Sequence, residues 1–337
     1  MPNSSHPFVS IIMPIKNEER YIERSLGSVL DQNYPADSLE VLVVDGNSSD
    51  RTRELISNLV FTSKFPVSLL DNPTGIVPKA LNIGLHHAKG DIIIRVDGHC
   101  EIQQNYVQIC VDHLLDQRVE CVGGAIHTVG ETFMAKTIAL AMSTSFGVGN
   151  VAFRLNKGTT QLTDSVPFPA YPRRTFEQLG YFDEEMLCNE DDEFNYRILK
   201  NNGRILLINY LQTLYFSRGS LKSLWKQYFR YGLWKVRVMQ KHLGQMRIRQ
   251  FIPSLFVLTL ITSTVFALVI PGGWVILAIL IGVYFVAVLI ASLKSVHDNN
   301  LRYLLILPIV FLALHISYGI GFLYGLFRFM RYFGAKP

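Results

Sequence analysis

Val9-Ser10-Ile11-Ile12-Met13-Pro14-Ile15-Lys16-Asn17-Glu18-Glu19 decides how the front of the chain folds. Its first seven residues form a short apolar run, which predicts a strand over Val9–Ile15. Directly after it, Tyr21, Ile22, Ser25, Leu26 and Val29 recur at helical spacing, so Glu18–Leu30 is expected as a helix. Glu40–Val44 is again a β-branched run and stops at Asp45. The unit repeats, with Thr52–Leu59 as helix, Val67–Leu70 as strand, Pro78–His87 as helix and Asp91–Val96 as strand. Such alternation is the signature of a parallel sheet with right-handed crossovers. Ligands of these sheets bind beyond the carboxyl ends of the strands. The residues to inspect are therefore Pro14–Asn17, Asp45–Asp50, Asp71–Gly75 and Asp97–Cys100.

The rest of the chain reads differently. Residues 101–220 are less regular, with a loop-like stretch over 156–172 and a helix expected over Glu190–Asn201. Lys222–His242 sets Trp225, Tyr228, Phe229, Tyr231 and Trp234 among basic residues, a composition suited to a membrane–water interface. Three apolar stretches follow, at about 253–270, 274–293 and 303–327, each near the ~20 residues that a helix needs to cross the hydrocarbon core. The break at Pro271-Gly272-Gly273 makes the first two a hairpin. The expected organisation is an α/β domain over 1–220, amphipathic interface helices over 221–250 and a membrane domain over 251–337.

Composition agrees with a partly lipid-embedded chain: 49% of the 337 residues are apolar. The formal charge of +5 is concentrated at the C-terminal end, where Lys294, Arg302, Arg328, Arg331 and Lys336 face the single acid Asp298 and carry +4 of it. The front is then nearly neutral, which argues against a nucleic-acid partner. Cys100, Cys110, Cys121 and Cys188 show neither a CxxC pair nor zinc-ribbon spacing, as expected of reduced thiols. The run Phe8–Ile15 contains Pro14 and follows no basic segment, so it reads as a strand and not a signal peptide, and the front domain is expected in the cytoplasm. Lys235, Arg237, Lys241, Arg247 and Arg249, with no acid among 235–249, hold the approach to the first span on that side. The hairpin returns Lys294 and Arg302 to it. A third crossing would carry Arg328, Arg331 and Lys336 across against the positive-inside rule, and Pro308 and His315 fit a re-entrant or interface-lining helix; length nevertheless favours three crossings.

Four groups of residues suggest chemistry. In Val43-Val44-Asp45-Gly46-Asn47-Ser48-Ser49-Asp50, Asp45 ends a strand where a carboxylate can accept hydrogen bonds from a uracil or ribose, while Asp50 reads as a helix cap. In Arg95-Val96-Asp97-Gly98-His99, a carboxylate and an imidazole two residues apart can both face one cation if the chain is extended, although carboxylate–His pairs on turns are common. Glu190-Asp191-Asp192-Glu193 opens a helix, as solvated first turns often do. The apolar Met186-Leu187-Cys188 before it points to a place against the core, where a carboxylate could take a proton from an acceptor hydroxyl. Gln227-Tyr228-Phe229-Arg230-Tyr231 joins an amide, aromatics and an arginine able to hold a diphosphate; an interfacial helix explains the aromatics equally well.

Taken in order, these motifs resemble the family 2 glycosyltransferases, the inverting group of A type, and among them the membrane-anchored bacterial exopolysaccharide enzymes. The resemblance covers residues 8 to about 235 and continues into the tail. It implies an α/β, GT-A-like (Rossmann-like) nucleotide-sugar domain followed by transmembrane helices. Val9–Glu19 looks like the family's opening strand, with Pro14, Asn17 and Glu18 beside the substrate, and Asp45 falls on its base- and ribose-binding acid. Lys79, in Lys79-Ala80-Leu81-Asn82, matches a helix beside the nucleotide. Asp97 and His99 fall on the metal-binding DxD motif, Glu190-Asp191 on the ED motif whose aspartate is the general base, and Gln227, Arg230 and Tyr231 on QxxRW. Three positions depart from the pattern: Gly46 replaces a frequent second acid, His99 the second aspartate, and Tyr231 the tryptophan.

The resemblance implies transfer of a sugar from a nucleotide-sugar donor, expected as a UDP-sugar, with Mn²⁺ or Mg²⁺ as cofactor. The acceptor is expected to be a lipid-linked saccharide, with the enzyme multi-pass in the plasma or inner membrane. Two rivals remain, a processive polysaccharide synthase and an inactive sugar-nucleotide-binding membrane subunit. Three spans are few to enclose a sugar chain, and the acids at 97 and 191 are both present.

Overall fold

The computed structural model describes residues 6–155, 158–242, 244, 246–296 and 300–330. Asp298, Arg331 and Lys336, used above in placing charge about the membrane, lie outside them. The chain forms two compact units, one of residues 1–127 and 156–215, the other of 128–155 and 216–337.

The first unit is built on a mixed sheet of nine strands. Its parallel half follows the expected alternation: β1 (Val9–Ile15), α1 (Ile22–Leu30), β2 (Leu39–Asp45), α2 (Thr52–Val60), β3 (Val67–Asp71), α3 (Val77–His87) and β4 (Ile92–Arg95). β1 pairs in parallel with β2 and β4, and β2 with β3, in the order β3-β2-β1-β4. Every residue of β1 and β2 is buried, as expected of strands covered on both faces, which need no alternation of apolar and polar residues. The register sets Ile15 opposite Asp45, and Asp45 opposite Asp71, so these strands end level along one edge.

The sheet continues in a half that the periodicity did not reveal. After β5 (Cys100–Ile102) and α4 (Tyr106–Gln117) come β6 (Cys121–Val129), then in the second unit α5 (Phe133–Met142), α6 (Ser145–Val148) and α7 (Ala152–Leu155). The chain returns with β7 (Gln161–Thr163), β8 (Ala170–Pro172), α8 (Arg173–Leu179), α9 (Glu190–Lys200) and β9 (Ile205–Phe216). β8 pairs antiparallel with β4, and the order runs on through β6 and β9 to β5, with β7 also on β9. The loop expected over 156–172 thus contains two short strands. β8 carries the sheet from the parallel half to the segment bearing α9, whose Phe194 and Ile198 are fully buried.

In the second unit α10 (Leu221–Lys241) is one continuous helix where interface helices are expected. α11 (Ile248–Val269), α12 (Trp274–Ser295) and α13 (Leu307–Arg328) are each 22 residues long and apolar enough to cross a membrane. At ~1.5 Å per residue each is about 33 Å long, beside a hydrocarbon core of ~30 Å. α11 begins earlier than the composition suggests and takes in Pro253 as its sixth residue, where the missing amide leaves out one i→i−4 bond of the helix.

Candidate active site at the edge of the sheet

The level ends of β1 and β2 gather the first group of predicted residues. Asp45 is 1% exposed. Its carboxylate accepts from the Ser48 amide at 3.2 Å, from the Ser48 hydroxyl, and from Arg53 Nη1 at 2.8 Å. The same Arg53 nitrogen reaches Asp71 Oδ1 at 2.7 Å, so one guanidinium ties the ends of β2 and β3. Asn17 is in the left-handed region (φ 54), a conformation that asparagine tolerates better than most residues, and bonds across to the turn after β2 through Ser48 and Ser49. Asp50 accepts the Thr52 amide at the start of α2 and the Glu19 amide. Burial would raise the Asp50 carboxyl; these bonds outweigh it and hold it below the usual range. Pro14 is buried within β1, and Lys79 is half-buried on α3.

The second group meets at the end of β4. β4 ends at Arg95, and Gly98 and His99 form a turn, so Arg95 and Asp97 meet while His99 turns to Glu18. Arg95 donates from Nε to Asp97 Oδ1 at 2.8 Å, from Nη2 to Asp97 Oδ2 at 3.4 Å, and from Nη1 to Glu190 Oε1 at 2.9 Å. The Arg95 side chain is 14% exposed and that of Glu190 7%. The two acidic motifs, far apart in sequence, are therefore held together by one buried guanidinium. Arg95 had no assigned role in the sequence. The signal was its position, two residues before Asp97 and hence on the same face.

Asp191 begins α9 with Asp192 and Glu193, while Met186 before it is fully buried and Leu187 exposed. The Asp192 amide donates to Asp191 Oδ1 at 2.8 Å. Burial, then repulsion from Glu190 and Asp192, pushes the Asp191 carboxyl up to about 7 against the opposing pull of Arg95. A base with that pKa is half ionised near neutral pH, close to the optimum for proton transfer.

His99 donates from Nδ1 to Glu18 Oε1 at 2.9 Å, and its ring meets Tyr215 edge-on at 5.3 Å. Burial alone would lower its pKa; the Glu18 bond and nearby negative charge outweigh burial and hold it at about 9. Gly98 permits this pairing, since a Cβ there would lie 2.9 Å from Glu18 Cγ. Among the described residues no three His, Cys, Asp or Glu side chains form a ready cation cage. The donor set present is the Asp97 carboxylate and the second nitrogen of His99, which can bind a cation only after giving up the proton that its pKa of about 9 keeps on it. Such a pair fits a cation whose other ligands come from a phosphorylated substrate.

Gln227, Arg230 and Tyr231 lie on α10 in the second unit. Gln227 Nε2 donates to the Tyr231 hydroxyl at 2.9 Å, and the Tyr228 and Tyr231 rings are 5.5 Å apart.

The glycosyl transferase family 2 profile matches residues 10–180. A dolichyl N-acetyl-α-D-glucosaminyl phosphate 3-β-D-2,3-diacetamido-2,3-dideoxy-β-D-glucuronosyltransferase of Methanococcus voltae is 26% identical over 95% of this chain and 98% of its own. The succinoglycan biosynthesis protein ExoA of Rhizobium meliloti is 29% identical over 72% of this chain and 73% of its own. Among solved structures, a mannosyltransferase of Pyrobaculum calidifontis in complex with GDP-Man and Mn²⁺ superposes with a TM-score of 0.62 at 19% identity, covering 96% of this chain and 88% of that one. The profile takes in half of the chain and the solved neighbour shares its fold: the chain belongs to glycosyl transferase family 2 and is a glycosyltransferase built on a GT-A fold.

Proposed function

We propose that this glycosyltransferase moves a sugar, with inversion, from a nucleotide-diphospho-sugar to a lipid-linked saccharide in cell-surface or extracellular polysaccharide synthesis. The observation that carries the reading is the junction of Asp97, Arg95, Glu190 and Asp191, with the Asp191 carboxyl at about 7. The acceptor oxygen attacks the anomeric carbon as the bond to the diphosphate oxygen breaks; that electron pair leaves with the nucleoside diphosphate and the acceptor proton passes to Asp191. Attack opposite to the leaving group inverts the carbon. Asp97 and, once it has lost its proton, the second nitrogen of His99 would hold Mn²⁺ or Mg²⁺, which when bound neutralises charge on the leaving diphosphate. Asp45, buried and engaged by Ser48 and Arg53, is assigned to the base or ribose of the donor, which it could meet only by giving up one of those bonds; the donor is assigned as a UDP-sugar, with Pro14, Asn17, Glu18 and Lys79 lining the donor side and Glu190 holding Arg95. Gln227, Arg230 and Tyr231 are assigned to the diphosphate and acceptor.

The lipid-linked acceptor is supported by apolar helices able to cross a membrane and by the dolichyl-phosphate relative. The cationic approach to α11 supports a multi-pass protein of the plasma or inner membrane, with catalysis on its cytoplasmic face. Functionally the chain divides into a catalytic part over 1–220, an interface segment over 221–250 and a membrane part over 251–337. The test incubates membranes bearing the enzyme with a panel of labelled UDP- and GDP-sugars and Mn²⁺, then extracts lipid. A labelled lipid-soluble product of inverted anomeric configuration is expected from one donor; label confined to water-soluble product with every donor refutes the acceptor assignment.

A further inference from the structure

α11, α12 and α13 match in length and apolar character but not in surroundings. Within the most apolar window of each, 17% of α11 and 11% of α12 are buried, against 50% of α13. Beyond Val257, α11 exposes Leu258, Ile261, Val265 and Leu268, and α12 exposes Val275, Ile279 and Val283, as helices bathed in lipid do. α13 instead has neighbours along its whole length. Phe311 and His315 pack on Phe146 at 5.1 and 5.0 Å. Gly319 backs onto the Pro253 carbonyl at the base of α11, where a Cβ would lie 2.5 Å away.

The decisive neighbour is α10. A Cβ at Gly321 would lie 2.1 Å from the Phe229 carbonyl oxygen, one at Gly232 2.1 Å from that of Tyr318, and one at Gly325 2.8 Å from that of Leu233. Farther on, Gln240 donates to the Phe329 carbonyl at 2.8 Å. The two helices run side by side in the same direction, backbone against backbone, over most of α10. Wherever α13 lies, α10 lies with it. Yet α10 carries Lys222, Lys226, Arg230, Lys235, Arg237 and Lys241 and no acid, and cations at bilayer depth are strongly disfavoured. A crossing α13 would draw this whole series into the hydrocarbon.

We propose that only α11 and α12 cross the membrane, and that α10 and α13 lie together in the membrane–water interface on the side from which α11 enters, with the C-terminus on that side. The surface that α13 offers is an exposed apolar stripe of Ile309, Leu312, Ile320, Tyr324 and Phe327. Its occupant is the headgroup–acyl boundary of the leaflet in which the hairpin is rooted. Arg247, Arg249, Lys294, Arg302 and Arg328 then all fall on one side, in accord with the positive-inside rule. His315 has both ring nitrogens satisfied, by the Tyr284 hydroxyl at 3.0 Å and the Phe146 carbonyl at 2.8 Å, so this polar side chain is not left unpaired against lipid.

The inference rests on the reading that α11 and α12 cross, and two cysteine variants separate the two. In a full-length chain with its native cysteines replaced and its transfer activity kept, Pro271→Cys at the hairpin tip should react with an impermeant maleimide added outside intact cells. Met330→Cys, at the end of α13, should react only once the membrane is broken. An unreactive tip in intact cells overturns the hairpin; a reactive Met330→Cys in intact cells overturns the interfacial placement of α13. If Met330→Cys resists on both sides, a protease site appended to the C-terminus decides, with cleavage from outside refuting the proposal. Nitroxides at Leu312→Cys and Phe327→Cys should report one shallow depth, and depths differing across the bilayer overturn the proposal.

Discussion

Arg95→Met removes the guanidinium that joins the two acidic motifs and leaves a side chain of similar length. Asp97 loses bonds of 2.8 and 3.4 Å, and Glu190 one of 2.9 Å. Removing one partner of a buried ion pair costs about 3–5 kcal/mol. Since Asp97 is 22% exposed and regains some hydration, the lower end applies, about 3 kcal/mol, or a fall in Tm of roughly 6–12 °C for a domain of this size. A second effect falls on Asp191, whose pKa Arg95 lowers. Without it the carboxyl rises above about 7. On the proposed mechanism the ionised base is the active form, so kcat/KM of the parent enzyme is expected to climb with pH and level off above about 7; in Arg95→Met that limb should shift to higher pH. The sign for stability agrees: a raised carboxyl favours the fold fully below its unfolded value near 4, and that contribution is lost as pH rises through the folded pKa. Thermal unfolding of the detergent-purified protein and a pH profile of kcat/KM read the two effects, and Arg95→Lys should recover part of each. An unchanged Tm together with an unmoved limb would refute the junction.

Three further outcomes follow from the same site. Chelation should abolish transfer and Mn²⁺ should restore it at least as well as Mg²⁺, because imidazole suits Mn²⁺ better; full turnover in excess chelator removes Asp97 and His99 from that role. Asp191→Asn should lower kcat by roughly 10²–10⁴ with donor affinity nearly kept, while Asp192→Asn stays active, and the reverse pattern in a kinetic comparison assigns the base to Asp192. Glu18→Gln should remove the alkaline drop in stability: the raised His99 pKa favours the fold fully below about 6.5 and is lost as pH passes about 9, so parent and variant should differ in Tm at pH 7 and converge above pH 10.

The parallel half of the sheet was legible because β1 and β2 are continuous apolar runs with amphipathic helices between them. The antiparallel half was not. β5, β7 and β8 are three residues each, too short for a period to show. β9 is long, but its first half is buried on both sides and reads as an unpatterned apolar run. At the site, the carboxylates announced themselves by standing after strands and before a helix. The cations that organise them did not. Arg53 and Arg95 act through contacts to residues on other elements, and no spacing in one segment encodes a partner nearly a hundred positions away. Likewise the three apolar stretches were visible, whereas the difference between α13 and the hairpin lies in what packs on them.

His99 in place of an acid makes sense only together with Glu18 and Gly98. An acid at position 99 would set a negative group where the imidazole now receives the Glu18 carboxylate at 2.9 Å, and like charges at that distance repel. The extra charge would also add to that of Asp97 and Glu190, and so resist ionisation of Asp191, already pushed to about 7. The imidazole relieves both strains. Protonated, it answers Glu18, as Arg95 answers Asp97 and Glu190, so the cluster holds its acids close without driving the base out of the physiological range. Gly98 supplies the room, because any side chain there would displace Glu18 from His99. The departure from the two-acid motif is therefore a local rearrangement of charge shared by three residues, and on the proposed mechanism it leaves the Asp191 carboxyl at about 7, able to accept a proton.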